Sequence, residues 1–119
     1  MEVDLIDHGA TVTRILTPDR QGLLADVLLG CSTSEDYLRP HPHFNCLVGR
    51  YANRITDARF QLDGILYELD ANLPPHHLHG GKHGFGLRRW SSGAIDQGVR
   101  FELISPDGEG GYPGKLNVV

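Results

Sequence analysis

No stretch of this sequence approaches the ~20 consecutive apolar residues that carry a helix across a bilayer. The first residues, Met1 to His8, lack both a basic start and an apolar run, so no secretory leader is expected. Lys/Arg runs are missing and the formal net charge is −4, which argues against a nucleic-acid or anionic-membrane partner. Cysteine is scarce: Cys31 and Cys46 supply neither a disulfide framework nor a zinc spacing. They read as two small buried thiols in a reducing compartment, with the cytoplasm as the default. Helical periodicity is also lacking, since no apolar stripe at i, i+3, i+4, i+7 persists beyond about two turns. There is no linker, repeat or low-complexity tract.

What the chain does have is turn chemistry. Among 119 residues there are 15 Gly and 7 Pro, which favours short elements in one modest domain. Period-2 alternation then dominates. Ala58, Phe60 and Leu62 alternate with polar residues, Asp63-Gly64 follows, and Ile65, Tyr67 and Leu69 alternate again. A two-residue Asp-Gly loop favours a type I′ hairpin, pairing Leu62 with Ile65, Phe60 with Tyr67 and Ala58 with Leu69 on one face. A second hairpin is expected from Trp90–Ile95 and Val99–Ile104, joined by a three-residue turn, Asp96-Gln97-Gly98. Val99, Phe101 and Leu103 would share a face. Upstream, Ala10–Leu16 and Asp26–Leu29 read as strands joined through Thr17 to Gly22. Cys46–Val48 is a short strand candidate, and residues 105–114 are too rich in Gly and Pro to be anything but a loop. Lys115–Val119 resumes a strand, and its apolar end reads as a cut through that strand. The class is all-β, with a sandwich expected.

The seven histidines are unevenly spread: His76, His77, His79 and His83 form one group and His41 with His43 another. A metal site would need carboxylates nearby, and no Asp or Glu lies between Ala71 and Ser92. His41, His43, His76 and His83 are therefore read as surface or loop residues. His79 precedes Gly80-Gly81, glycines that permit a sharp turn or a close backbone approach. Asn53-Arg54 sets a planar amide beside a guanidinium fork, the donors and acceptors that sugar hydroxyls need. Arg50 and Arg54 also fit plain surface cations. Tyr51, Phe85, Trp90 and Tyr112 suit either an aromatic wall or the core.

Read together, these blocks resemble the aldose 1-epimerase (galactose mutarotase) family, in family order. Pro18-Asp19-Arg20 with Gly22 and Asp26 to Gly30 come first, then Glu35-Asp36-Tyr37, then Val48-Gly49-Arg50-Tyr51-Ala52-Asn53-Arg54-Ile55. Phe60 to Leu69, Leu78-His79-Gly80-Gly81 with Gly84-Phe85 and Trp90, and the Ser105–Gly114 loop follow. The resemblance implies a large antiparallel β-sandwich with a sugar cleft. It implies interconversion of α and β anomers of aldohexoses such as galactose and glucose. That reaction opens a hemiacetal ring with one general base and one general acid, without metal or cofactor. It implies sugar contacts at Asn53, Arg54 and His79, with His79 assisting rather than acting as the principal acid. The family's catalytic Glu and His lie far downstream. Residues 1–119 are thus expected to be part of one larger domain, a truncated product inactive by itself.

Three positions depart from the family pattern. His76 stands where Asn is common, on the cleft rim, Asn45 where Gly is usual, and Gly86 where an acidic residue is usual. A hexose-6-phosphate 1-epimerase, with Arg88-Arg89 holding the phosphate, is one alternative. A carbohydrate-binding domain without catalysis, or a remnant unable to fold alone, are others.

Overall fold

A computed structural model describes residues 1–39 and 42–119, so the expectation for His41 lies outside the described residues. Among the described residues the chain forms ten short strands linked by 3-10 turns, and no helix reaches seven residues. The strands are β1 (Glu2–Ile6), β2 (Thr11–Pro18), β3 (Leu24–Asp26), β4 (Arg54–Ile55), β5 (Arg59–Leu62), β6 (Ile65–Glu68), β7 (His77–Leu78), β8 (Ser91–Ile95), β9 (Gly98–Ser105) and β10 (Leu116–Val118). Two three-stranded antiparallel sheets, ordered β1-β2-β3 and β10-β9-β8, flank two small pairs, β4-β7 and β5-β6. The all-β expectation holds.

The β5-β6 hairpin has the expected register, with Leu62 opposite Ile65 and Phe60 opposite Tyr67. Asp63 and Gly64 take φ of 51° and 79°, as a type I′ turn requires. The Phe60 and Tyr67 rings stack at 5.3 Å. The β8-β9 turn is one residue shorter than expected, because Ile95 pairs directly with Gly98. Gln97 itself adopts φ 57°, so the positive φ falls there and Gly98 joins the strand.

The strand expected over Asp26–Leu29 ends at Asp26 instead. The Asp26 carboxylate explains this: one oxygen accepts from the Ile15 and Leu28 amides, folding the chain out of the ladder. Those two bonds also hold the carboxyl below the ordinary Asp range. Cys46–Val48 is not a strand. It begins just after Asn45, at φ 54°, and is held by a Leu47 amide donating to Gly9 O at 2.9 Å. After glycine, Asn is among the residues that most readily take this left-handed backbone.

The core is small. Ala10, Phe85, Trp90 and Leu103 form its buried cluster, with Phe101 and Val118 packed against it. Phe85 and Trp90 meet edge to face at 5.9 Å, and the Trp90 indole donates to Phe85 O at 3.0 Å. These two aromatics are core residues and not a cleft wall. The segment Asp7–Ala10 ties the N-terminal sheet to this core: Gly9 N donates to Arg88 O at 2.7 Å and Trp90 N to Asp7 O at 2.8 Å. The radius of gyration is 16.9 Å, against about 13.5 Å for a compact domain of this length. The fold is therefore spread out, with many large apolar side chains exposed.

Candidate functional site

The site grows from the shortest sheet. Arg54 pairs with Leu78 and Ile55 with His77, so β4 and β7 carry the Asn-Arg and Leu-His-Gly-Gly motifs side by side. Neither two-residue strand has a periodic signal of its own. At one end of this pair, two residues with left-handed backbone face each other: Asn53 at φ 68° and His79 at φ 52°. Their bonds are reciprocal. His79 N donates to Asn53 O at 3.0 Å. Asn53 N donates to His79 Nδ1 at 3.0 Å. Because Nδ1 accepts, the neutral imidazole carries its proton on Nε2, which makes that nitrogen a donor. Arg54 Nη1 donates to Asn53 Oδ1 at 3.2 Å. The three residues singled out in the sequence thus form one hydrogen-bonded cluster. His43 joins it, with its ring centroid 4.9 Å from that of His79. Sequence spacing gave no hint of this, since His43 lies far upstream, just before the turn at Phe44-Asn45.

Gly80 makes the approach possible. A Cβ there would lie 1.6 Å from Gly49 O, and the backbone sits at φ 83°. Gly86 has a different reason for lacking a side chain: a Cβ would lie 2.6 Å from Cys46 Sγ. Cys46 and Cys31 are free and half-buried, where buried thiols were expected. Burial pushes the Cys46 thiol up, away from nucleophilic reactivity.

Two other histidines of the group, His76 and His77, are engaged in hydrogen bonds. His76 Nδ1 accepts from the Asp57 amide at 3.2 Å, bracing the chain just beyond β4. His77 is fully buried. Its Nδ1 lies 2.8 Å from Asp70 O and its Nε2 lies 2.7 Å from the Tyr112 hydroxyl. A carbonyl only accepts, so Nδ1 bears the proton and Tyr112 donates to Nε2. Burial pushes the Tyr112 phenol up to about 12, although the Arg50 guanidinium beside it works the other way.

Arg50 is not the surface cation that the sequence allowed. Its guanidinium donates to Ser105 Oγ and to the carbonyls of Ser105, Pro106, Pro113 and Gly114, at 2.7–3.0 Å. It staples the Gly/Pro-rich loop into place. Arg88 reinforces that loop through both oxygens of Glu109, at 2.7 and 2.8 Å, and Ser105 Oγ donates to the same carboxylate. With the loop fixed, Tyr112 and Tyr51 line a cavity of about 410 Å³ together with Arg54, Ile55, Thr56 and Phe60. Arg54 therefore links the Asn53–His79 cluster to an aromatic-lined pocket large enough for a pyranose ring.

The aldose 1-epimerase family model matches residues 1–119. Galactose mutarotase of Rattus norvegicus is 47% identical over 118 residues, 99% of this chain and 34% of that protein. Aldose 1-epimerase of Escherichia coli K12 is 39% identical over 117 residues, 98% of this chain and 34% of that protein. A solved aldose epimerase homologue from C. elegans superposes with a TM-score of 0.88 at 32% identity, covering 97% of this chain and 36% of that one. The chain thus spans about a third of the length of the relatives it matches. On the match across its whole length, the chain belongs to the aldose 1-epimerase family.

Proposed function

We propose that this chain supplies the sugar-contacting wall of an aldose 1-epimerase, in which α and β anomers of a free aldohexose interconvert by ring opening. The observation that carries the reading is the fixed His79 ring: the Asn53 amide holds Nδ1, which leaves Nε2–H to donate to a sugar oxygen. Ring opening moves one proton off the anomeric hydroxyl and one onto the ring oxygen. A donor of fixed tautomer can orient the ring oxygen, whereas proton removal needs a separate base. His79 is therefore an assisting group. Arg54 and Asn53 bind ring hydroxyls, and the pocket lined by Tyr51, Phe60 and Tyr112 takes the apolar face of the sugar.

Residues 1–119 act here as one part of a larger sandwich domain that also holds the acid and the base. The partner is a free sugar, not a nucleic acid or a membrane. No helix among the described residues is long and apolar enough to cross a membrane. A cytoplasmic setting fits the two free thiols. The hexose-6-phosphate alternative is weakened by the charges themselves, because Arg88 is paired with Glu109 and Arg89 with Asp7, at 2.7 Å each.

Calorimetric titration with galactose tests the reading. Losing one neutral hydrogen bond is worth about 0.5–1.5 kcal/mol, so His79→Ala should weaken binding by roughly 2- to 13-fold. Arg54→Ala removes a charged donor worth about 1.5–3 kcal/mol and should cost about 10- to 150-fold. Affinity unchanged from the parent in both variants would sink the assignment. Polarimetry of fresh α-galactose with the 119-residue chain should follow the buffer rate. A rate well above buffer would contradict the need for a separate acid and base.

A further inference from the structure

His43 lies outside the motifs that define the site, yet its ring reaches them. Its centroid is 4.9 Å from that of His79, with the two planes inclined at 54°. Aromatic rings in contact prefer centroid separations of about 4.5–7 Å, so this is a packed pair. Both side chains are half-buried. The chain that delivers His43 is itself held in place. Cys46 Sγ donates to His43 O at 3.6 Å, Asn45 Nδ2 to Leu29 O at 2.9 Å, and Leu47 N to Gly9 O at 2.9 Å. Further along the same segment, Gly49 O fills the space beside Gly80 and accepts from the Phe85 amide at 3.1 Å. One segment therefore flanks the His79-Gly80 turn twice, with a ring against His79 and a backbone carbonyl against Gly80.

The pair matters because of what the Asn53 bond leaves open. One hydrogen bond to Nδ1 fixes that nitrogen. It does not fix the tilt of the ring, because the torsion between an imidazole and its Cβ is broad. The direction of Nε2–H follows that tilt, and a hydrogen bond weakens steeply when its donor points off line. A second ring packed against the first removes the freedom. We propose that His43 is a positioning residue: its ring sets the tilt of the His79 imidazole and so aims Nε2–H at the sugar. The aim at a sugar rests on the reading of His79 as a sugar donor, whereas the support of one ring by the other rests on the geometry alone. Position 43 then needs a flat ring, and not a hydrogen-bonding or titrating group.

The test compares His43→Ala, which removes the ring, with His43→Phe, which keeps a flat one. His43→Gln, polar but without a ring, stands in should His43→Ala fail to fold. Nitrogen-15 spectra of the sugar-free chain in mildly alkaline buffer read the His79 ring directly. The signals of its two ring nitrogens should move toward each other in His43→Ala, as the imidazole leaves the Asn53 amide and samples both tautomers. In His43→Phe they should match the parent. Galactose titration reads the consequence. Binding must now order a loose side chain, at about 0.5–1.5 kcal/mol, so His43→Ala should lose roughly 2- to 13-fold in affinity. His43→Phe should bind as the parent does, and His43→Ala should cost nothing further in a His79→Ala background. The proposal is overturned if the His79 signals are unchanged in His43→Ala, or if phenylalanine fails to restore them. It is also overturned if the affinity loss persists in full without His79, which would make His43 a sugar contact in its own right. Signals that move in His43→Ala and return in His43→Phe, with galactose affinity constant throughout, would support the ring support and contradict the sugar-donor reading of His79.

Discussion

Replacing Gly80 with alanine should disable the site by moving its backbone. The added Cβ would stand 1.6 Å from the Gly49 carbonyl oxygen, and that oxygen is fixed by the Phe85 amide at 3.1 Å. Neither partner is a flexible side chain, so the two loops must separate. A left-handed backbone costs an alanine about 1–2 kcal/mol, and overpacking costs about 1–3 kcal/mol more. The sum is about 2–5 kcal/mol. In urea unfolding, the midpoint should drop with little change in slope. Because Gly80 follows His79 directly, the Asn53–His79 pair should open as well, and galactose binding should weaken even below the unfolding midpoint. A stability loss under about 1 kcal/mol, with sugar binding intact, would refute the account of why glycine occupies this position.

Further outcomes follow from the buried polar groups. Tyr112→Phe strands the fully buried His77 Nε2 and should cost about 1–3 kcal/mol by the same unfolding assay. In the parent chain, Tyr112 also makes stability fall at alkaline pH. Below pH 10 the folded and unfolded states both hold the phenol proton. Between pH 10 and about 12 the unfolded chain releases it while the folded chain keeps it, so the folded state loses ground as pH rises. At about 1.4 kcal/mol per pH unit the loss is at most a few kcal/mol. The difference in stability between the parent and Tyr112→Phe should shrink over that range, and a constant difference would contradict the assignment. Arg50→Met removes the five Arg50 guanidinium bonds to the Ser105–Gly114 loop and leaves it held by Arg88, and limited proteolysis should then cut within that loop.

The sequence was most informative where turn chemistry and side-chain alternation agreed. Asp63-Gly64 set both the turn and the register of its hairpin. It was less informative where a side chain competed with the backbone. Asp26 ends a strand that Val27, Leu28 and Leu29 suggest should continue. Gln97 takes a positive φ, and Gly98 pairs in the strand instead of extending the turn. The β4-β7 pair was hidden, because two-residue strands have no period and their pairing depends on a chain reversal many residues long. At the site, Asn53, Arg54 and His79 were legible as motifs, but their mutual bonds were not. The Asn53 amide that fixes the His79 tautomer is a backbone group, and any residue other than proline would carry one. Tyr112 and His77, far apart in sequence, gave no signal of the bond between them.

The most direct measurement is nitrogen-15 chemical-shift mapping of the chain with galactose, including the His79 ring nitrogens. The account predicts shifts clustered at Asn53, Arg54 and His79, with the His79 proton on Nε2 before and after sugar is added. Shifts elsewhere on the surface, or a His79 ring protonated on Nδ1 in the sugar-free chain, would contradict it.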